Sequence, residues 1–308
     1  MTLERYLADI SDPSRPLKQT VLASLSGLAP EEMEIIQRVW PTIPLERRRQ
    51  ILQRLADMAE ERVEMDFTPL FRLALKDPDP QVRAQAVHGL WECEDRSLIT
   101  PLLHLLKCDT SSEVRAAVAQ RLGTFASMAS ENKLPSSEGK RILDALVAAF
   151  RNAREEVEVR CRALESLAVF PDMIVHDLIR QAYDSAESRL RRSAVYAMGR
   201  NGDGQWKAII TRELSSTDPA MRKEAVGACA ELGEESLVVH LLPLLQDTDP
   251  EVRLTTIHAL GAIGGTLAKK TLLTLVKSSD ETVREAAQEA LERLRAEENP
   301  LTYKFRTS

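Results

Sequence analysis

An arginine that directly follows an apolar residue returns at positions 83, 115, 160, 191, 222, 253 and 284. The intervals are 32, 45, 31, 31, 31 and 31 residues, taken as differences between successive positions. A period of this length marks a solenoid, in which each unit buries its apolar face only against its neighbours. The clearest copy is DTDPEVRLTTIHALGAIG, Asp247–Gly264. Close variants are DPDPQVRAQAVHGL at 77–90, SSTDPAMRKEAVGAC at 215–229 and SSDETVREAAQEAL at 278–291.

Each unit divides in two. An apolar stretch such as Leu98–Lys107 or Ser236–Leu245 predicts a first helix, followed by a turn and a second helix. Asp79, Asp218 and Asp249 each precede a proline, and Asp280 precedes Glu281. Asp at the N-cap accepts orphan backbone N–H groups, and Pro at the first helical position sacrifices no bond. Helical spacing then buries the residues three, four and seven after the arginine. These are Ala86, Val87 and Leu90, with Ala194, Val195 and Met198, Ala225, Val226 and Cys229, and Thr256, Ile257 and Leu260 as counterparts. Small residues three after the arginine let helices approach closely, and Gly199, Gly233, Gly261 and Gly264 mark helix ends or packing points. The repeated arginine is expected to form a structural ladder with Asp or backbone carbonyls of adjacent turns, rather than a row of ligand-binding groups.

Residues 1–64 show helical segments without the strict repeat and are expected to cap the array. Thr2 is a candidate cap for a first helix, Pro30 opens another, and a longer one runs from Pro44 to about Glu61. The Arg47–Arg49 cluster reads as surface. The repeat array is expected over 65–296. The 45-residue interval carries a surplus, Ser127–Lys140, whose Ser, Asn, Gly and Pro predict a surface loop. Residues 297–308 form a polar tail in which Leu301, Tyr303 and Phe305 alternate.

Composition narrows the functional classes. Aromatic residues are 4% and the formal net charge is −6, which disfavours nucleic acid, because phosphate contacts need clustered Lys and Arg. Four scattered cysteines show neither CxxC pairs nor metal spacing, so buried thiols in a reducing compartment are expected. The charged N-terminus lacks an apolar signal core, and the longest uncharged run, Leu254–Ala268, is too short for a bilayer span of about 20 residues. A cytoplasmic protein without membrane association is expected.

The units resemble HEAT repeats, especially the short kind named after phycobilisome lyases. The shared pattern is an apolar helix, an Asp/Pro turn, Val-Arg, then Ala and Leu leading to Gly. The resemblance covers roughly 66–295 and is best at Asp247–Gly264. It implies an all-α fold, a right-handed α-α superhelical solenoid of about seven helix pairs, whose second helices line a concave face. Such arrays present surfaces to other proteins, so the resemblance implies little chemistry.

No catalytic constellation stands out. None of His88, His104, His176, His240 or His258 is followed by Glu, whereas some HEAT-like hydroxylases hold iron through repeated His-Glu pairs. Gly199–Gly204 follows a helix rather than a strand, and no nucleophile elbow is present. No cofactor and no metal site are expected.

Residues one, two, five and nine after each arginine are expected to face the groove. In the central units they include Arg162, Arg192, Tyr196, Arg200 and Lys223, interleaved with Glu165, Glu224 and Glu231. His88, Trp91 and Glu92 lie toward the start, and His258 and Glu289 toward the end. The expected partner-binding residues are Arg162, Arg192, Tyr196, Arg200, Lys223 and His258. The function read from the sequence is a non-enzymatic protein–protein interaction scaffold. It presents a concave mixed-charge groove to an acidic or helical partner segment. Two alternatives are a chromophore (bilin) lyase-related factor and a HEAT-like nucleic-acid-binding protein.

Overall fold

A computed structural model describes residues 3–62 and 64–298, which hold eighteen α-helices and no strand. The chain divides into two compact units, Met1–Ser166 and Leu167–Ser308. In the first, α1 (Leu3–Ser11) and α2 (Gln19–Ala23) precede four helix pairs. These are α3 (Pro30–Val39) with α4 (Leu45–Glu61), α5 (Thr68–Ala74) with α6 (Pro80–Gly89), α7 (Ile99–Cys108) with α8 (Ser112–Ser130), and α9 (Ser136–Arg151) with α10 (Val157–Leu167). The second unit adds α11 (Met173–Tyr183) with α12 (Ser188–Asn201) and α13 (Lys207–Glu213) with α14 (Pro219–Leu232). It ends with α15 (Val238–Leu241) and α16 (Pro250–Ile263), then α17 (Gly265–Leu275) and α18 (Glu281–Glu298). Second helices stack on second helices: α4, α6 and α8 in one unit, and α12, α14, α16 and α18 in the other. The fold class is the all-α superhelical solenoid of paired helices.

The caps form as the turn chemistry dictates. Asp79 accepts from Val82 N at 3.0 Å, Asp218 from Ala220 N at 3.0 Å, and Asp249 from Glu251 N and Val252 N at 2.9 and 3.2 Å. The residues three, four and seven after the arginine are buried in the units at 83, 191, 222 and 253. Thr256, the polar one among them, satisfies its hydroxyl by donating to Val252 O at 2.7 Å. All four cysteines are free, and burial pushes the Cys229 thiol up to about 12, which leaves it unreactive near neutral pH. Gly199 and Gly261 are contact points between stacked helices. A Cβ on Gly261 would stand 2.8 Å from Ala290 Cβ, and one on Gly199 would stand 2.6 Å from Ala228 Cα.

The repeated arginine is a two-sided clasp at Arg83, Arg115 and Arg222 and keeps part of that geometry in the other units. Arg83 donates from Nη1 to Asp77 O and Pro78 O at 2.8 and 3.0 Å, the turn that ends its own first helix. Its Nε and Nη2 then form two bonds of 2.7 Å to Asp109, in the turn of the next pair. Arg115 does likewise, with Asp109 O at 2.7 Å and Glu155 at 2.6 and 2.9 Å. Arg222 reaches Ser216 O at 2.9 Å and Asp247 at 2.6 and 2.7 Å. The receiving carboxylate also orients its own turn: Asp109 and Asp247 accept from Ser111 N and Asp249 N, both at 2.9 Å. Arg191 and Arg253 keep only the carbonyl half, because the next turn offers Ser216 and Ser278 where Asp would stand. Arg160 instead meets Phe150 O at 3.0 Å, and Arg284 donates to Ser278 O at 3.1 Å.

Two sequence expectations need correction. The Arg47–Arg49 cluster is not all surface, for Arg47 and Arg48 are only 4% and 8% exposed. Arg48 is an additional member of the clasp series: it donates to Ile43 O at 2.9 Å and pairs with Asp77 at 3.0 Å, and Trp40 Nε1 donates to the same carboxylate at 2.7 Å. The stretch 127–140, read as a loop, is mostly helix. α8 continues through Ser130 and α9 begins at Ser136, so the surplus lengthens both helices. The physical reason is packing: Leu122, Phe125 and Ala126 extend the apolar stripe, and Gly139 lets α9 approach Ala129 within 3.0 Å of a would-be Cβ. Thr2 and the alternating Leu301, Tyr303 and Phe305 lie outside the described residues.

Two consequences are measurable. Gly261→Ala overpacks the α16–α18 contact and should lower unfolding free energy by about 1–3 kcal/mol in urea titrations. Gly227→Ala has nothing within 4 Å of the new methyl and should instead raise it, by about 0.5–1 kcal/mol. The clasp carboxylates give a pH signature. Hydrogen bonds from Arg222 hold Asp247 below the usual carboxylate range, whereas burial pushes Asp109 and Glu155 up but is outweighed by Arg83 and Arg115. Folded values below the unfolded ones of about 3.9–4.3 mean that this stability is whole above about pH 5 and lost as pH falls through the folded values. Arg222→Met should therefore destabilise by about 1–3 kcal/mol at pH 7, more than Arg253→Met, and should flatten the loss of stability on acidification.

Candidate partner-binding face

Five of the six expected residues share one row of second helices in the unit 167–308. Arg192, Tyr196 and Arg200 stand on α12, Lys223 on α14 and His258 on α16. Tyr196, Arg200, Lys223 and His258 are exposed, and Arg192 is half-buried. Each cation faces an acid on the neighbouring helix or its cap. Arg192 meets Asp218 at 3.3 Å, Lys223 meets Glu251 at 3.1 Å, and Arg200 meets Glu231 at 3.5 Å. The face is a series of ion pairs with an aromatic ring and an imidazole among them, not a bare basic strip. Pairs this open to water are worth less than about 1 kcal/mol each and exchange readily. Arg162 is placed differently, on α10 within residues 1–166. It is bonded along its own helix to Glu158 at 2.9 Å and Glu165 at 3.0 Å. Burial pulls its guanidinium pKa down, but those two carboxylates hold it above the usual arginine value.

A second set of groove residues is invisible to an alignment that begins at Arg83. With Arg48 as a clasp arginine, the positions one, two, five and nine beyond it are Arg49, Gln50, Gln53 and Asp57. These four line an open cleft of about 1050 Å³ together with Gln81 and Gln85 of α6. Arg49 repeats the Arg192–Asp218 geometry, binding the cap residue Asp79 at 2.7 and 3.1 Å. A spacing signal existed, but Arg48 follows Arg47 rather than an apolar residue, and the preceding turn, Pro41–Pro44, lacks the Asp.

Among the described residues, no group of three or more His, Cys, Asp or Glu is placed to hold a metal ion. No helix among them is long and apolar enough to cross a membrane.

Stacked pairs, clasp arginines and an inner face of second helices define a helical-repeat protein. The sequence pattern of HEAT repeats matches residues 68–136 and 206–292, together just over half of the chain, and the chain belongs to the HEAT-repeat family. No curated protein matches at a significant level. Among solved structures, the complex of CpcE and CpcF of phycocyanin lyase from Nostoc sp. PCC7120 is similar in fold. It is 15% identical with a TM-score of 0.54, over 96% of this chain and 95% of that one. An engineered protein is 27% identical over 64% of this chain and 96% of its own, with a TM-score of 0.37. Human deoxyhypusine hydroxylase in complex with glycerol is 18% identical over 95% and 96%, with a TM-score of 0.35.

Proposed function

We propose that the chain is a non-enzymatic interaction scaffold whose α12–α14–α16 face takes a helical partner segment carrying acidic side chains. The observation that carries this reading is the row of water-accessible, cross-helix ion pairs, Arg192–Asp218, Lys223–Glu251 and Arg200–Glu231. A partner carboxylate competes with Asp218 or Glu251 for its cation at little loss, because neither pair is buried. Tyr196, 38% exposed beside Arg192, supplies the aromatic surface that such contacts concentrate on. Acids one helical turn apart on a partner helix fall on one side of it, in reach of cations held on adjacent helices.

The likeness to the phycocyanin lyase complex is one of fold and carries no bilin chemistry to these residues. A change in visible absorbance on mixing the protein with a bilin would bring that alternative forward. The direct test is affinity capture from native extract with the wild type and with the Arg192→Glu, Lys223→Glu double variant. The variant should lose the captured partner, with affinity for the purified partner falling at least about tenfold, or about 1.4 kcal/mol. An unchanged captured set contradicts the assignment of this face.

A further inference from the structure

The cleft against α4 and α6 differs from the paired face of 167–308 in charge and in hydrogen bonding, and residues 1–67 lie outside the matched HEAT stretches. Four arginines line it, Arg15, Arg47, Arg49 and Arg54, against two carboxylates, Glu46 and Asp57. Outside the lining, Arg15 is paired with Asp9 and Asp12, and Arg49 with Asp79, which leaves Arg47 and Arg54 as the lining cations without a carboxylate in contact. Arg47 is 4% exposed and donates to Ile10 O at 2.6 Å, Arg15 O at 2.8 Å and Gln50 Oε1 at 3.4 Å. None of these partners is a carboxylate, so its charge is not neutralised by contact. Arg54 is exposed and has no hydrogen bond or ion pair among the described residues.

The amides are equally incomplete. Gln85 Nε2 donates to Gln53 Oε1 at 3.5 Å, and Gln53 Nε2 donates to Asp57 at 2.9 Å, which forms a short relay from α6 to α4. Gln85 Oε1 is buried with no hydrogen-bond partner, a state unfavourable for a polar atom removed from water. Gln81, on the same helix, has no side-chain hydrogen bond among the described residues. A side-chain amide offers both an acceptor and donors, the complement of a peptide main chain. A segment inside a helix has already used its backbone groups, whereas an extended segment presents N–H and C=O along both edges. Stacked helices lie about 8–10 Å apart and an extended chain rises about 3.3 Å per residue, so roughly every third residue meets the next helix.

We propose that this cleft binds an extended acidic segment of a partner protein. The amides of Gln81 and Gln85 pair with its main chain, and Arg54 and Arg47 attract its carboxylates. The inference is independent of the reading of the α12–α14–α16 face.

The test uses the full chain and a fluorescein-labelled peptide of alternating Glu and Thr, about ten residues long, since β-branched Thr favours the extended form. Fluorescence polarisation should show binding that weakens with added salt. Arg54→Glu should weaken it at least about tenfold, equivalent to 1.4 kcal/mol. Gln81→Ala and Gln85→Leu should each weaken it several-fold, and Lys223→Glu should leave it unchanged. Arg54 has no partner to lose, so circular dichroism and the unfolding midpoint of Arg54→Glu should match wild type. Gln81→Ala is the second variant should they not. The proposal is overturned by any of three results: no binding by wild type, equal or tighter binding of a stapled helical peptide of the same charge, or displacement of the peptide by oligo(dT) at lower concentration than by unlabelled peptide. A loss with Lys223→Glu as large as with Arg54→Glu would move the site to the other face and overturn it too.

Discussion

A guanidinium shared between successive turns, at Arg48, Arg83, Arg115 and Arg222, holds stacked helix pairs in register. A helix pair on its own has one apolar side too many, and the carbonyls at the end of its first helix lack partners. The clasp arginine answers both problems with the two edges of its planar fork. One edge binds the carbonyls of its own turn, and the other binds the carboxylate in the turn of the next pair, as in Arg83–Asp109 and Arg222–Asp247. Lysine cannot reproduce this, having no planar fork to serve two acceptors in fixed directions. The carboxylate in turn fixes the backbone of the cap that starts the next helix. Capping, stacking and helix entry are therefore coupled through a few atoms.

That coupling separates structural charge from charge available to a partner. Arg222 and Asp247 are 14% and 9% exposed, and Arg83 and Asp109 are 12% and 3% exposed. The residue directly after the clasp looks similar in sequence yet points along the inner face, as Lys223 and Arg192 do, into pairs that water reaches. Neighbouring arginines such as Arg191 and Arg192 thus have different physical roles, set by one residue of helical phase.

Much of this was legible from residues. Period, cap chemistry and the buried triplets follow from Asp79, Asp249, Ala225 and their counterparts, because a repeat averages the noise in any single unit. Three things were less legible. The pairing of Arg192 and Lys223 depends on which acid the next helix brings alongside, a cross-helix relation that a linear pattern does not encode. The extension of α8 and α9 into 127–140 turned on Phe125 and Gly139 packing, against local Ser, Asn and Pro signals. Arg48 was hidden because it follows Arg47 rather than an apolar residue and its own turn, Pro41–Pro44, has no Asp-Pro cap. With Arg48 unrecognised, the groove positions it sets, Arg49, Gln50, Gln53 and Asp57, went unread.

The central claim is that clasp pairs build the array while inner-face pairs do not. Double-mutant cycles in urea test it directly, comparing Arg222–Asp247 with Arg192–Asp218 through neutral replacements of each partner. The account predicts a coupling of about 1–3 kcal/mol for the clasp and less than about 0.5 kcal/mol for the inner-face pair. Equal couplings, or a larger one for Arg192–Asp218, would contradict it.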